Sequence, residues 1–187
     1  MFYLSTQKQS HIRIYLSLKM KNKSVNSTVL VILTGLIIGI LLKLFVFDIL
    51  HISGHSMEPS LNNGDSVIVN KLAYGLVVPF KSSFFFQWSK PKTGDVVIFL
   101  HDNKIVCKRV CATEGCHLDF SKNSGYSLIV QNKNIELTHD QFQNLYSFEQ
   151  VPQDYVLVLG DNLQQSVDSR DYGFVSVHNI TGKIIGR

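Results

Sequence analysis

Three features that would assign this 187-residue chain to a common class of protein are missing. A strong net charge is absent, because 18 Lys and Arg residues oppose 14 Asp and Glu residues, and no basic patch points to nucleic acid. The three cysteines, Cys107, Cys111 and Cys116, lack the spacing of a metal site, so a Cys111–Cys116 disulfide and free thiols both stay open. Long helical periodicity is absent beyond the N-terminal part, which excludes an all-α domain there.

One long apolar run is present near the N-terminus, over residues 29–42. A helix over residues 24–42 would span roughly 28 Å, about the thickness of a bilayer's hydrocarbon core. We expect an uncleaved anchor over residues 24–43, with a cleavable signal peptide as the competing interpretation. Met20 is an alternative start. Residues 1–23 are expected to be cytoplasmic and residues 44–187 to lie across the membrane, because basic residues precede the run: Lys8, Arg13, Lys19, Lys21 and Lys23.

The remainder of the chain is predicted to be mainly β, as a curled antiparallel sheet or barrel-like arrangement. Residues 117–150 are more polar and are expected to form an excursion within this domain. Residues 81–88 (KSSFFFQW) suit either an edge strand or core loop, or a contact with the membrane surface through Phe84–Phe86 and Trp88. The predicted strands are short runs rich in β-branched and aromatic residues: 66–70, 96–100, 105–110, 128–130, 135–137, 155–159, 174–177 and 180–185.

Two distant stretches carry the candidate chemistry. Side chains alternate along a strand over residues 105–110, so Lys108 shares a face with Val106 and Val110. Burial would lower the pKa of this lysine, and a drop of roughly three units makes it half neutral near pH 7.5. A neutral amine can accept the hydroxyl proton of Ser56, which lies in a turn punctuated by Gly54. From pattern alone, a solvated lysine and an ordinary turn serine remain the alternatives.

A third stretch, residues 160–173 (GDNLQQSVDSRDYG), follows an apolar strand and is dense in polar side chains. Asp168 and Arg170 could form an ion pair, and Ser166 could hydrogen-bond an amine. A generic polar turn is the alternative, but the density of interacting groups favours support of a site.

Together these motifs resemble the type I signal peptidases, a family of membrane-anchored Ser/Lys endopeptidases. Residues 53–61 (SGHSMEPSL) are similar to the family's SGxSMxPTL box. Four further boxes follow in the family's order, and the resemblance runs from about residue 45 to residue 182: residues 64–75 (GDSVIVNKLAYG), 91–97 (PKTGDVV), 108–110 (KRV) and 160–175 (GDNLQQSVDSRDYGFV).

The resemblance implies a catalytic domain with Ser56 as nucleophile and Lys108 as general base. Ser166 would orient the lysine, while Asp168 and Arg170 would brace the loop. The Ser56 N–H would contribute to the oxyanion hole; some relatives add a serine hydroxyl at the position of Gly54, so the second donor stays open. Positions that match the family's shallow substrate pockets are Leu50, Ile52, Met57 and Cys107.

The implied substrates are exported preproteins with small residues before the cut, and neither metal nor cofactor is implied. The resemblance also implies a bacterial cytoplasmic membrane, contact with its lipid bilayer, and proximity to the secretion translocon. The chain departs from the family after residue 110, where residues 111–116 (CATEGC) replace a Gly-x-Pro-Gly-Asp turn. Leu163 and Gln164 also depart from the final box. These changes make the preprotein preference less predictable.

Other interpretations remain. A Ser-His-Asp hydrolase would use His51 or His55, but closeness in a turn is not triad geometry, and these histidines could share a metal only on a helix. A self-cleaving Ser/Lys repressor would carry a DNA-binding domain, and no helix-turn-helix stretch precedes the boxes. A specialised peptidase for pilins or secretion substrates would share both anchor and catalytic pair. A non-catalytic membrane-tethered binding module would make Ser56 and Lys108 dispensable.

Overall fold

The computed structural model describes Arg13 and residues 27–78, 84–122 and 125–187, and the chain divides into two units between Lys43 and Leu44. Helix α1 (Ser27–Phe45) is long and apolar enough to cross a membrane, and none of its apolar stretch is buried. A helix that is apolar all round and uncovered needs an apolar environment. The predicted features of residues 1–12 and 14–26, including the Met20 start, lie outside the described residues.

The second unit is built from short strands and two short helices. Within the described residues, these elements follow α1 in chain order: β1 (Phe47–His51), β2 (Ser66–Asn70), β3 (Gly75–Val77), β4 (Phe84–Gln87), β5 (Val96–His101), β6 (Lys104–Thr113), β7 (Asp119–Ser121), β8 (Tyr126–Val130), β9 (Lys133–Leu137), α2 (His139–Leu145), β10 (Tyr155–Leu159), α3 (Ser169–Tyr172), β11 (Val175–Ser176) and β12 (Ile180–Gly186).

The main sheet has the order β1-β2-β12-β5-β6-β10-β11, with every pairing antiparallel. The prediction of a mainly β protein behind one apolar helix is therefore confirmed. The run at 174–177 is the exception among the predicted strands, because β11 is only two residues long and Val177–Asn179 forms a 3-10 helix. The Ser176 side chain accepts a hydrogen bond from the His178 N–H, a local bond that competes with strand pairing.

The described part of residues 117–150 forms a smaller antiparallel sheet, β7-β8-β9, and helix α2. Their buried side chains, such as Leu128, Ile135 and Phe142, share one apolar cluster with Leu157 and Leu159 of β10. This polar-looking excursion is thus attached to the main sheet through a common core. Helix α2 went unpredicted because it is only seven residues long, although the capping box of Thr138 and Gln141 marks its start.

The aromatic run forms part of a second hairpin. Strand β4 carries Phe84–Phe86 and pairs with β3, as the edge-strand interpretation requires, while residues 79–83 lie outside the described part. Phe85 is 80% exposed, and Phe86 and Trp88 are also exposed. The alternative of a membrane-surface contact therefore stays open.

Candidate active site

Ser56 lies in a loop between β1 and β2 that is closed at its base by backbone hydrogen bonds. The Ile52 N–H donates to the Asp65 carbonyl at 2.8 Å. Gly54 has a φ of +96°, a left-handed conformation that favours glycine, and its N–H donates to Asn63 Oδ1 at 3.1 Å. This arrangement presents Ser56 at a tight turn beside the sheet.

Lys108 reaches the same place from β6, the strand between β5 and β10. It is only 4% exposed and lies on the buried face of β6 with Val110, as the alternation of the sequence predicts. Lys108 Nζ lies 2.9 Å from Ser56 Oγ. Burial lowers the pKa of Lys108, while the nearby Asp168 carboxylate opposes that shift. The result is an amine with an increased neutral fraction in contact with a hydroxyl.

Asp168 and Arg170 form a buried ion pair in the loop that follows β10. Arg170 Nε donates to Asp168 Oδ1 at 2.9 Å, and the Gly160 N–H donates to Asp168 Oδ2 at 3.0 Å. Arg170 Nη2 also donates to the carbonyls of Leu163 and Ser166, at 2.8 and 3.1 Å. The pair therefore ties the end of β10, the loop and the start of α3 into one unit.

Ser166 lies against the backbone of the Ser56 loop. A Cβ atom at Gly160 would collide with Ser166 Oγ and with the Ser56 carbonyl oxygen, so only glycine fits between them. The Asn162 N–H also donates to the Ser56 carbonyl, at 3.0 Å. Ser166 Oγ is buried and has no hydrogen-bond partner among the described residues, so it does not contact Lys108 through a hydrogen bond here.

The four residues expected at the substrate pocket meet in one apolar cluster. Leu50, Ile52 and Cys107 are partly buried and pack against the buried cluster that contains Met57, which is 1% exposed. Burial raises the pKa of Cys107 to about 12, so its thiol stays protonated and acts as a small apolar group. All three cysteines are free, including Cys111 and Cys116.

A second ion pair, between Arg109 and Asp161, was not predicted. Arg109 Nε and Nη2 donate to the two Asp161 carboxylate oxygens at 2.7 and 2.6 Å. Arg109 also donates to the Gly94 carbonyl and, at 3.3 Å, to Ser60 Oγ. It therefore joins β6 to the final loop and to the Ser56 loop. Both residues lie in recognised boxes, so their opposite charges were the available signal.

The histidine-based interpretations find no support in the geometry. His51 ends β1, and His55 Nδ1 lies 2.8 Å from Glu58 Oε1 in an exposed pair, so the two histidines do not share a helix. In the part of the chain that the structure describes, Ser56 Oγ contacts Lys108 and no histidine. The same described part contains no cluster of three or more His, Cys, Asp or Glu side chains suited to a metal ion.

Comparison with known proteins gives consistent results. Residues 25–187 match the family model described as signal peptidase, peptidase S26. Signal peptidase I of Buchnera aphidicola subsp. Baizongia pistaciae (strain Bp) is 26% identical, over 88% of this chain and 77% of that protein. Signal peptidase I of Bacillus caldolyticus is 30% identical, over 76% of this chain and 80% of that protein.

A chloroplast protein is also similar. Thylakoidal processing peptidase 1 of Arabidopsis thaliana is 29% identical, over 82% of this chain and 45% of its own length. A crystal structure of a signal peptidase I from Enterococcus faecalis V583 aligns with 52% of this chain and 98% of that one, at 22% identity and a TM-score of 0.39. The match to the family model covers most of the chain, and the chain therefore belongs to the signal peptidase family, peptidase S26.

Proposed function

We propose that Ser56 and Lys108 are the catalytic pair of this serine endopeptidase, which removes N-terminal signal peptides from exported preproteins after small residues. The observation that carries the assignment is the 2.9 Å approach of a buried lysine amine to the serine hydroxyl. Ser56 and Lys108 are 52 residues apart in sequence, and they meet at a buried position, where the charged form of a lysine is disfavoured. This is the arrangement that nucleophilic catalysis with a lysine base requires.

In the first half of the reaction, neutral Lys108 accepts the hydroxyl proton as Ser56 Oγ attacks the scissile carbonyl carbon. Lys108 then gives that proton to the leaving amine, which departs as the N-terminus of the mature protein. In the second half, Lys108 takes a proton from water, and the resulting hydroxide attacks the Ser56 ester. The proton returns to Ser56 Oγ as the signal peptide leaves with a free carboxylate.

The surroundings of Ser56 suit this sequence of steps. The Ser56 N–H makes no hydrogen bond among the described residues, so it is open to donate to the developing oxyanion. The Gly54 N–H is engaged by Asn63 and does not serve as the second donor. We assign Asp168 and Arg170 to bracing the loop. Ser166 lies against Gly160, next to the Ser56 carbonyl, and we assign it to positioning the Ser56 segment. We also propose that its hydroxyl orients the Lys108 amine.

Substrate preference follows from the apolar cluster beside the pair. Leu50, Ile52 and Cys107 are only partly buried and pack against the cluster that contains the buried Met57, which makes an apolar surface suited to small side chains. We therefore propose that residues such as alanine are accepted at the first and third positions before the cut.

We further propose that residues 24–43 anchor the protein in a bacterial cytoplasmic membrane, with the peptidase domain, residues 44–187, on the extracytoplasmic side. The apolar helix α1 and the basic residues that precede it in sequence support this orientation. Exposed Phe85, Phe86 and Trp88 support a contact of the domain with the bilayer. Proximity to the translocon would follow, because the preprotein's own apolar segment is delivered there.

The pH dependence of cleavage follows from the environment of Lys108. The base must be neutral, so kcat/KM should rise with increasing pH through the pKa of Lys108. Because burial lowers that pKa from 10.5, the rise should level off before the pH at which an ordinary lysine loses its proton. Between the lowered pKa and 10.5 the unfolded chain binds the additional proton, so the free energy of unfolding should rise with pH as well.

The predicted rise and plateau are measured as a pH profile of kcat/KM, with the folded fraction checked by circular dichroism at each pH. A rate that continued to rise through 10.5 would contradict a buried lysine base.

The proposed activity is tested by incubating the full chain, in lipid nanodiscs, with a preprotein carrying an Ala-x-Ala site. We expect one cut after the second alanine, identified by mass spectrometry of both products. A matched preprotein with leucine at that position should stay intact. If the folded protein cleaved none of several preproteins, the result would instead support a non-catalytic binding module. Cleavage confined to one class of substrate would support a specialised processing enzyme.

A further inference from the structure

A cavity of about 180 Å³ lies behind the loop that contacts the Ser56 carbonyl. Its walls come from three parts of the peptidase domain: the β8–β9 hairpin, the turn that precedes β5, and strands β6 and β10 with the loop that follows. Side chains of the substrate cluster, Leu50, Ile52, Met57 and Cys107, are not among its lining residues. The cavity is therefore separate from the proposed substrate pocket.

The rim of the cavity is fixed by hydrogen bonds. Gln131 and Asn132, at the tip of the β8–β9 hairpin, both have positive φ values, of 48° and 62°, which forms a tight turn. Gln131 Nε2 donates to Thr93 Oγ1 at 3.2 Å, and the Gly94 N–H donates to the Val110 carbonyl at 2.9 Å. These bonds join the hairpin to the turn before β5, and that turn to β6.

The interior is apolar. Val110, Ile135 and Leu159 are buried and line the cavity, together with the more exposed Leu163. An apolar protein cavity of about 150 Å³ is large enough to hold benzene. The volume here thus suits one aromatic ring or a branched alkyl group of similar size.

The charged residues around the cavity indicate which polar group a ligand would carry beside its apolar part. Arg109 and Asp161 both line it but satisfy each other in a two-bond ion pair. Lys133 is exposed, lines the cavity, and has no hydrogen bond or ion pair within the described residues. Lys133 also acts electrostatically on the Asp161 carboxylate, but the three charged residues of the lining, Arg109, Asp161 and Lys133, still sum to one positive charge. The complement of that charge, beside an apolar interior, is a single carboxylate.

We propose that this cavity binds a small amphipathic carboxylate, with a ring-sized apolar group inside and the anionic group at Lys133. The lining includes Gly160, Asp161 and Leu163 of the loop that contacts Ser56, and the Leu163 carbonyl accepts a hydrogen bond from Arg170 at 2.8 Å. A bound ligand would contact the back of that loop without entering the space between Lys108 and Ser56. The proposal does not depend on the proposed catalytic pair.

The probe for this site is 3-phenylpropionate, compared with the uncharged 3-phenylpropanamide, by isothermal titration calorimetry on the full chain in nanodiscs of zwitterionic lipid. We expect saturable 1:1 binding of the acid with a Kd of about 1 mM or tighter. The amide should bind about fivefold more weakly, the upper end for an exposed ion pair. Lys133→Gln should reduce the acid to the level of the amide. The matched control is Lys104→Gln, on exposed β6 surface outside the cavity, which should change neither.

Two further variants fill the cavity from exposed positions, Leu163→Trp and Thr93→Phe, and both should lose binding of acid and amide while melting near the wild-type temperature. Ser56→Ala should bind like the wild type, so failure of the catalytic proposal and failure of this one are distinguishable. The proposal is overturned if the wild type shows no saturable binding, if acid and amide bind equally, or if both filling variants bind normally.

Discussion

Replacing Lys108 by methionine is expected to lower kcat/KM for preprotein cleavage at least about 1,000-fold. Methionine keeps the length and apolar stem of the side chain but has no amine, so Ser56 loses the only group within hydrogen-bond distance of its Oγ among the described residues. Ser56→Ala should cause a loss of at least the same size, because it removes the nucleophile itself. The measurement is initial cleavage rate at matched protein concentration.

The fold should survive both changes. Lys108 is 4% exposed, and burial disfavours its charge, so a methionine there should leave the melting temperature unchanged or raise it. Lys104→Met, on the exposed start of the same strand, is the matched control and should cleave at the wild-type rate. Retention of full activity by folded Lys108→Met would remove the lysine from the mechanism.

Removal of the Asp168 carboxylate is expected to cause the largest loss of stability of any single substitution in the final loop. Asp168→Ala leaves the buried Arg170 guanidinium without its counter-charge and the Gly160 N–H without its acceptor. Breaking a buried ion pair in this way costs about 3–5 kcal/mol in the free energy of unfolding. For a chain of this size that corresponds to a fall in melting temperature of about 6–20 °C.

Thermal unfolding followed by circular dichroism gives this change directly. Asp119→Ala, at an exposed position of β7 whose ion pair with His117 lies in solvent, is the control and should melt close to the wild type. The double variant Asp168→Ala/Arg170→Met should be less destabilised than Asp168→Ala, because no unpaired charge is left buried. An Asp168→Ala protein that melts within 2 °C of the wild type would show that the pair does not brace the loop.

Much of the fold was predictable because the strands are locally encoded. The runs at 66–70 and 155–159 begin and end at the observed strand limits, since β-branched residues fill them and turn residues bound them. Alternation along β6 also predicted the face that Lys108 occupies. Strand β1 was not predicted, because it lies at the edge of the sheet and its residues are exposed or only partly buried. Strands β3 and β7 were not predicted either, because three residues are too few to show an alternating pattern.

The site itself depended on contacts that local pattern does not encode. The order of the boxes along the chain identified Ser56 and Lys108 as candidates, but the 2.9 Å approach depends on how β6 and the loop after β1 pack in three dimensions. The steric need for Gly160, between Ser166 and the Ser56 carbonyl, is likewise visible only when both loops are in place. The Arg109–Asp161 pair was missed for the same reason, because opposite charges in separate boxes do not specify a partner.

The most direct test of a lysine base is an NMR titration of the Lys108 amine itself, in the full chain labelled at lysine side chains, with Lys108→Arg to assign the signal. We predict that Lys108 titrates below 10.5 and at the same pH as the acid limb of kcat/KM. A Lys108 that titrated at or above 10.5, or at a pH unrelated to the cleavage rate, would contradict the assignment of Lys108 as the base that activates Ser56.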